Sequence, residues 1–368
     1  MSNRQACLVF LLLASIPGIA VAAELEDVVE DVVSRHMADK QIPGISVAVV
    51  QGGDLVFSAG YGQASIEFGI PATPGSVYPI SSVSKIFAGL LAVRLAEVGK
   101  LNLDASVVNF FEEVPPDKQS ITVRNLLQHT HGLEDAYRSD AYRNDTGKSF
   151  EDSTVAELAA WSLGRPARFQ SGEEWEYSLI GYVMLARILE LAGGAEYQAL
   201  LERYVFEPTG MVASFGGSES VVAGRNPVLY ELVDGEVAGH VVDFPEKTYA
   251  AGGANTSVLE LAKLFVALSG NKYINGVAKQ ELWRRPALGS GELANYSLGW
   301  FSYETSRERW VVGHEGGGAS WVIYYPDLDL AVIALSNMSG ARADSLPFDI
   351  AREAMANGLL NTERPKGQ

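Results

Sequence analysis

Tyr78-Pro79-Ile80-Ser81-Ser82-Val83-Ser84-Lys85-Ile86-Phe87-Ala88 is the stretch from which the rest of the chain can be read. An extended segment, Tyr78-Pro79-Ile80, runs into an apolar helix expected from about Ser82 to Val98 and stopped by Gly99. On that helix Ser82 and Lys85 stand three residues apart, so their side chains share a face. A serine hydroxyl is a poor nucleophile until a nearby base takes its proton. A lysine in a dry pocket is partly neutral and can do so. A serine at a helix start also has a free backbone N–H to offer a developing oxyanion. The spacing alone is weak, because a surface serine and lysine meet it by chance.

Outward from this pair the chain is globular. It has 368 residues, 47% hydrophobic and 20% charged, too apolar for a disordered chain and long enough to bury a large core. The formal net charge of −17 excludes nucleic acid as an expected ligand. Residues 1–23 read as a secretory signal peptide: Arg4, an apolar run over Leu8 to Ala14, and small residues for cleavage near Ala22 or Ala23. A membrane anchor is the alternative, but the apolar run is short for a span of about 20 residues. The sole cysteine, Cys7, would leave with the leader, so the mature chain would have no thiol and no disulfide. The expected location is secreted or periplasmic, with no transmembrane span in the mature chain.

Helical periodicity marks Glu24 to Lys40, Val123 to Gln128, Thr154 to Ser162, Leu179 to Leu191, Leu259 to Leu268 and Pro347 to Ala356. Two β-rich runs, Ile45 to Gln51 and Leu55 to Tyr61, flank Gly52-Gly53-Asp54, a hairpin signal. Strands return at Ser297 to Tyr303, Trp310 to Gly313, Ser320 to Tyr325 and Leu330 to Leu335. Strands at both ends with helices between predict an α/β (α+β) fold. One antiparallel sheet, flanked by helices, is closed by the two chain ends around an inserted helical lobe. The expected division is 24–95 with 250–360 for the sheet lobe and 96–249 for the mainly helical lobe.

Two further motifs bear on the chemistry: Glu176-Tyr177-Ser178-Leu179 at a helix start, and Gly313-His314-Glu315-Gly316-Gly317-Gly318 between two strands. With Leu126-Leu127-Gln128-His129-Thr130-His131-Gly132-Leu133 and Ala250-Ala251-Gly252-Gly253, the order Ser-x-x-Lys, Tyr-x-x, His-x-Gly resembles the serine β-lactamase and penicillin-binding-protein superfamily. More narrowly it resembles the class C β-lactamase, D-peptidase and esterase branch, over about residues 25 to 358. The resemblance implies a β-lactamase/transpeptidase-like fold and a covalent acyl-enzyme. It implies Ser82 as nucleophile, Lys85 as its proton partner, and Tyr177 as a second base, a phenol kept partly ionised by Lys85. His314 stands where many relatives have a lysine, and the backbone N–H groups of Ser82 and Gly317 form the oxyanion hole, with Gly316 letting a substrate backbone lie close.

The chain departs from the pattern at two places. Leu179 stands where an amide side chain usually ends the tyrosine motif, and Glu315 where a hydroxyl residue usually follows the basic one. Leucine cannot hydrogen-bond a substrate amide. A carboxylate facing the substrate would repel an anionic one, and a histidine is neutral at most pH values. These changes weaken the case for a β-lactam.

The sequence reading is therefore a serine hydrolase for an ester or a D-amino-acid-type amide, small-molecule or peptidic, without a cofactor. The alternatives are a class C-type β-lactamase or DD-peptidase, and a non-catalytic protein that binds an acyl ligand or peptidoglycan. His129 and His131 with Glu134 and Asp135 resemble a metal cluster superficially, but no paired histidine follows, and a structural turn beside the site is the reading. The oligomeric state is not readable.

Overall fold

A computed structural model of the chain describes residues 17–216, 229–242, 244–305 and 309–363. Most of the expected leader, 1–16, lies outside the described residues. The first helix, α1, is Pro17–Lys40. It leads into β1 (Gly44–Gln51) and β2 (Asp54–Ser65), joined by the Gly52-Gly53 turn, then short β3 (Ile70–Pro71) and β4 (Tyr78–Pro79). A 3₁₀ turn over Ser81–Ser84 then opens α2 (Lys85–Glu97). The helix expected from Ser82 thus begins three residues later, after a tighter turn.

The middle of the chain carries α3 (Val123–Leu127), α4 (Asp140–Thr146), α5 (Val155–Gly164), α6 (Leu179–Gly193), α7 (Tyr197–Leu201) and α8 (Glu207–Thr209). Thr122 and Thr154 start α3 and α5 with reciprocal capping boxes to Asn125 and Glu157. After β5 (Ser214–Phe215) comes a hairpin the sequence reading missed, β6 (Leu229–Val233) and β7 (Glu236–His240), turning at Asp234-Gly235. Both turn residues have positive φ, the signature of an Asp-Gly hairpin. The chain continues through β8 (Ala254–Thr256), α9 (Val258–Ser269), α10 (Gly276–Trp283), β9 (Phe301–Glu304), β10 (Trp310–Gly316), β11 (Ser320–Tyr325), β12 (Leu330–Ser336) and α11 (Leu346–Ala356).

The main sheet has seven strands in the order β3-β2-β1-β12-β11-β10-β9, every neighbouring pair antiparallel. The first long strand therefore pairs with the last, Val47 opposite Ala334. Alternation sorts the side chains cleanly. Val47, Val49, Trp321, Ile323, Val332 and Ala334 share a core with Leu25, Val29 and Val32 of α1 and Leu346 and Ile350 of α11. Ala48, Val50, Val322, Tyr324, Ile333 and Leu335 share the other core with α2, α6 and α9. Both faces are covered, so β11 and β12 are buried at every position and read as unbroken apolar runs. Among the described residues no helix is long and apolar enough to cross a membrane.

Candidate active site

The site begins where β4 turns into α2. Ile80 N–H donates to Ala254 O at 2.9 Å, and Ser81 takes a left-handed φ of 45°, uncommon for a residue with a Cβ. Ser82 follows as the second residue of the 3₁₀ turn, where an N–H has no earlier carbonyl within the turn to bond. Lys85 sits one turn on and is fully buried, its Nζ donating to Ser82 Oγ at 3.2 Å and to Ala251 O at 2.6 Å. Burial drives its pKa down to about 7; the Asp135 carboxylate pulls it back up, and Arg138 pushes it further down.

Tyr177 reaches the same point from the residues just ahead of α6. Its ring centroid is 4.9 Å from Lys85 Nζ, and its phenol hydrogen-bonds to Ser82. Three residues of the 129–138 segment fix this approach. Asp135 Oδ2 accepts from Leu179 N–H at 2.7 Å and from Ser178 Oγ at 3.1 Å, capping α6, whose own first turn has no side-chain cap. Arg138 Nη1 donates to Tyr177 O at 3.0 Å, and Ser178 N–H donates to His129 Nδ1 at 3.2 Å. The expectation of a partly ionised phenol is corrected. Burial pushes the Tyr177 pKa well above its ordinary value, and Glu315 adds to that rise. The phenol is protonated at rest, because the hydrogen bond with Ser82 and the charge of Arg138 lower its pKa by less than burial raises it.

β10 supplies the opposite wall. His314 points toward Lys85 and is buried. Its Nδ1 lies 2.5 Å from Glu315 O, and since a carbonyl only accepts, Nδ1 carries the proton. Nε2 then accepts from Tyr296 Oη at 2.9 Å. Burial first, and the nearby Lys85 charge second, lower the His314 pKa to about 3. The ring is neutral with both nitrogens engaged. Gly316 packs so tightly that a Cβ there would stand 2.1 Å from Ile80 O and 3.3 Å from Ser82 N. Gly317, at φ 60°, turns the chain so that its N–H, like that of Ser82, has no partner among the described residues.

Two expected residues do not join this cluster. Glu315 lies opposite Trp321 in the sheet register, so it shares the α11 face and points away from His314. Its Oε2 accepts from Gly318 N–H at 3.1 Å. The repulsion of an anionic substrate, conditional on Glu315 facing the cleft, therefore does not arise by direct contact, although the carboxylate's field still reaches Lys85 and Tyr177. Leu179 opens α6 and packs on the larger core. His129 and His131 are buried, and each Nδ1 accepts a backbone N–H, from Ser178 and Leu133. Among the described residues no group of three acidic, histidine or cysteine side chains could hold a metal ion.

Four contributors escaped the sequence reading: Asp135, Arg138, Tyr296 and the Ala251 carbonyl. None had a local signal, since only tertiary packing brings them to the start of α6, to His314 and to Lys85. Together these groups present a hydroxyl beside a buried, largely neutral amine, a protonated phenol, and two free N–H groups close together. That set can take a proton, form an acyl bond and stabilise an oxyanion.

A sequence model of the beta-lactamase family matches residues 29–354. The chain belongs to the beta-lactamase family. Members of this family are serine hydrolases. The chain is 28% identical over 315 residues to penicillin-binding protein 4* of Bacillus subtilis (strain 168), which covers 79% of this chain and 67% of that protein. It spans about two thirds of the length of the curated relatives it matches. The octameric penicillin-binding protein homologue from Pyrococcus abyssi has a similar structure, with a TM-score of 0.74, 26% identity, and coverage of 92% of this chain and 78% of that one. The D-amino acid amidase from Ochrobactrum anthropi SV3 shares the fold, with a TM-score of 0.73, 22% identity, and coverage of 91% and 99%.

Proposed function

We propose that this beta-lactamase family member hydrolyses an ester or a D-amino-acid-type amide through an acyl group carried on Ser82. The observation that supports this reading best is the buried Lys85 Nζ, 3.2 Å from Ser82 Oγ with its pKa lowered to about 7. Neutral Lys85 takes the Ser82 proton as Oγ bonds to the substrate carbonyl carbon. The oxyanion is held by the N–H groups of Ser82 and Gly317. Tyr177, protonated at rest, gives its proton to the leaving oxygen or nitrogen as the bond to carbon breaks. The ammonium of Lys85 then restores the phenol. Water enters by the reverse relay and releases the acid.

The substrate preference follows from charge. His314 is neutral where a lysine would attract a carboxylate, and Leu179 offers no hydrogen bond to an acylamide. A lost charge-assisted hydrogen bond is worth about 1.5–3 kcal/mol, roughly 10–150-fold. Esters and amides without a carboxylate are thus favoured over a cephalosporin. The test is kcat/KM on p-nitrophenyl butyrate, a D-amino-acid amide and a chromogenic cephalosporin, with fluorophosphonate labelling of wild type and Ser82→Ala. Labelling and turnover are expected only in the wild type, with the cephalosporin slowest. Labelling that persists in a folded Ser82→Ala protein, or an efficient cephalosporinase, overturns the reading.

A further inference from the structure

β9 pairs with β10 only as far as Gly313, opposite Phe301, so His314–Gly316 keep an open strand edge. Beside that edge, on the α11 side, lies a groove of about 190 Å³. Its walls are aromatic: Phe301, Tyr303, Trp321 and Phe348. Among the described residues its only formally charged groups are carboxylates, Glu315 and Asp344, and no lysine or arginine lines it. Glu315 uses one oxygen on Gly318 N–H, and Asp344 uses Oδ1 on Trp321 Nε1–H, which leaves each with a second oxygen that has no hydrogen-bond partner among the described residues. Two neighbouring arginines are turned to other partners, Arg309 to Thr362 O and Arg352 to Asp349 and Glu353.

We infer that this groove receives an ammonium group carried on the leaving side of the substrate, so that the favoured substrates are esters of amino alcohols or amides of diamines. Electron-rich ring faces with carboxylates at the rim attract a cation and gain nothing from an anion. The net charge of −17 draws cations toward the molecule as a whole. The leaving side follows from Tyr177, the proposed donor to the leaving atom. Phe301 lies parallel to the Tyr177 ring at 6.5 Å between centroids and forms the near wall of the groove. On this proposal a leaving group protonated by Tyr177 passes along Phe301 and around the open edge of β10 into the groove, which lies on the sheet face opposite Ser82. This assignment rests on the acyl-transfer reading of Ser82.

The experiment compares butyrylcholine with its uncharged isostere, 3,3-dimethylbutyl butyrate, by pH-stat at low and high salt. The expected kcat/KM ratio is tenfold or more for the cation at low salt, shrinking as salt rises. In Glu315→Gln and Asp344→Asn the ratio within each protein is expected to fall several-fold toward one. A wild-type ratio at or below one, or ratios unmoved in both variants, overturns the groove while hydrolysis of the neutral ester still stands. Binding is read separately by saturation-transfer NMR of choline on Ser82→Ala, with 3,3-dimethylbutanol as control. Choline contact with the protein, weakened in the double variant Ser82→Ala/Glu315→Gln, supports the groove even if no ester is turned over, an outcome that strikes only at the Ser82 reading. No contact overturns the groove.

Discussion

Removing an ammonium from water is costly, and Lys85, the proposed proton acceptor, is fully enclosed. Its activity should therefore follow its neutral fraction. We predict that kcat/KM on a butyrate ester rises about tenfold per pH unit below neutrality and levels off above an apparent pKa near 7. No falling limb is expected up to about pH 10, since burial raises the Tyr177 pKa. A flat profile between pH 5 and 9 contradicts this. The same burial carries a stability sign. The folded pKa lies below the unfolded value of 10.5, so between about 7 and 10.5 the unfolded chain binds more protons and stability rises with pH. Lys85→Met should accordingly abolish turnover yet raise the melting temperature most at or below pH 7, with the gain fading toward pH 10.5. Tyr177→Phe is expected to cost on the order of 10²-fold in kcat, and its loss should not multiply with that of Lys85→Ala, because the two groups form one relay.

α6 shows how an element delivers a reacting group. Its first N–H is bonded by Asp135, a residue more than forty positions earlier, and Tyr177 rides on that joint. Asp135→Ala should cost about 1–3 kcal/mol, the range for a lost cap that leaves buried donors unmet. It should lower kcat more than it raises KM, checked by denaturant titration beside steady-state kinetics. Gly316→Ala tests the other wall, since its Cβ would overlap Ile80 O. We expect turnover to fall at least 10²-fold as β10 is pushed off the start of α2, with fluorophosphonate labelling slowed in parallel. These two elements also show what a sequence can disclose. Ser82 and Lys85 were readable because their proximity is set by one helical turn. Asp135 and Tyr296 were not, because only tertiary packing brings them to Ser178 and His314. The direction of Glu315 was left open by the motif, because strand register, which only the folded sheet fixes, decides which face a side chain takes. Asp234-Gly235 was a local signal simply passed over.

At the scale of the molecule, the sheet is one object made from both ends of the chain. The outer core joins α1 to α11 through Val32, Val33, Ile350 and Ala354, all buried. The ion pairs across the same seam are partly exposed, with Arg35 at 52% accessible, and add little. We predict that Ile350→Asp destabilises the whole protein by about 3 kcal/mol or more and removes activity at the same denaturant midpoint, whereas Arg35→Ala shifts stability by under about 1 kcal/mol. The closure by both ends was legible in the sequence as strands at either terminus.

The pairing of β1 with β12 also sets a clock on synthesis. The chain from Gln51 to Leu330 must be made before the centre of the sheet can form. At about 5–20 residues per second this is roughly 15–55 s. Throughout that interval the apolar edge of β1 has no native neighbour, and an unpaired apolar edge is a template for other strands. The nascent chain thus depends on being shielded or kept extended until β12 emerges to cover that edge.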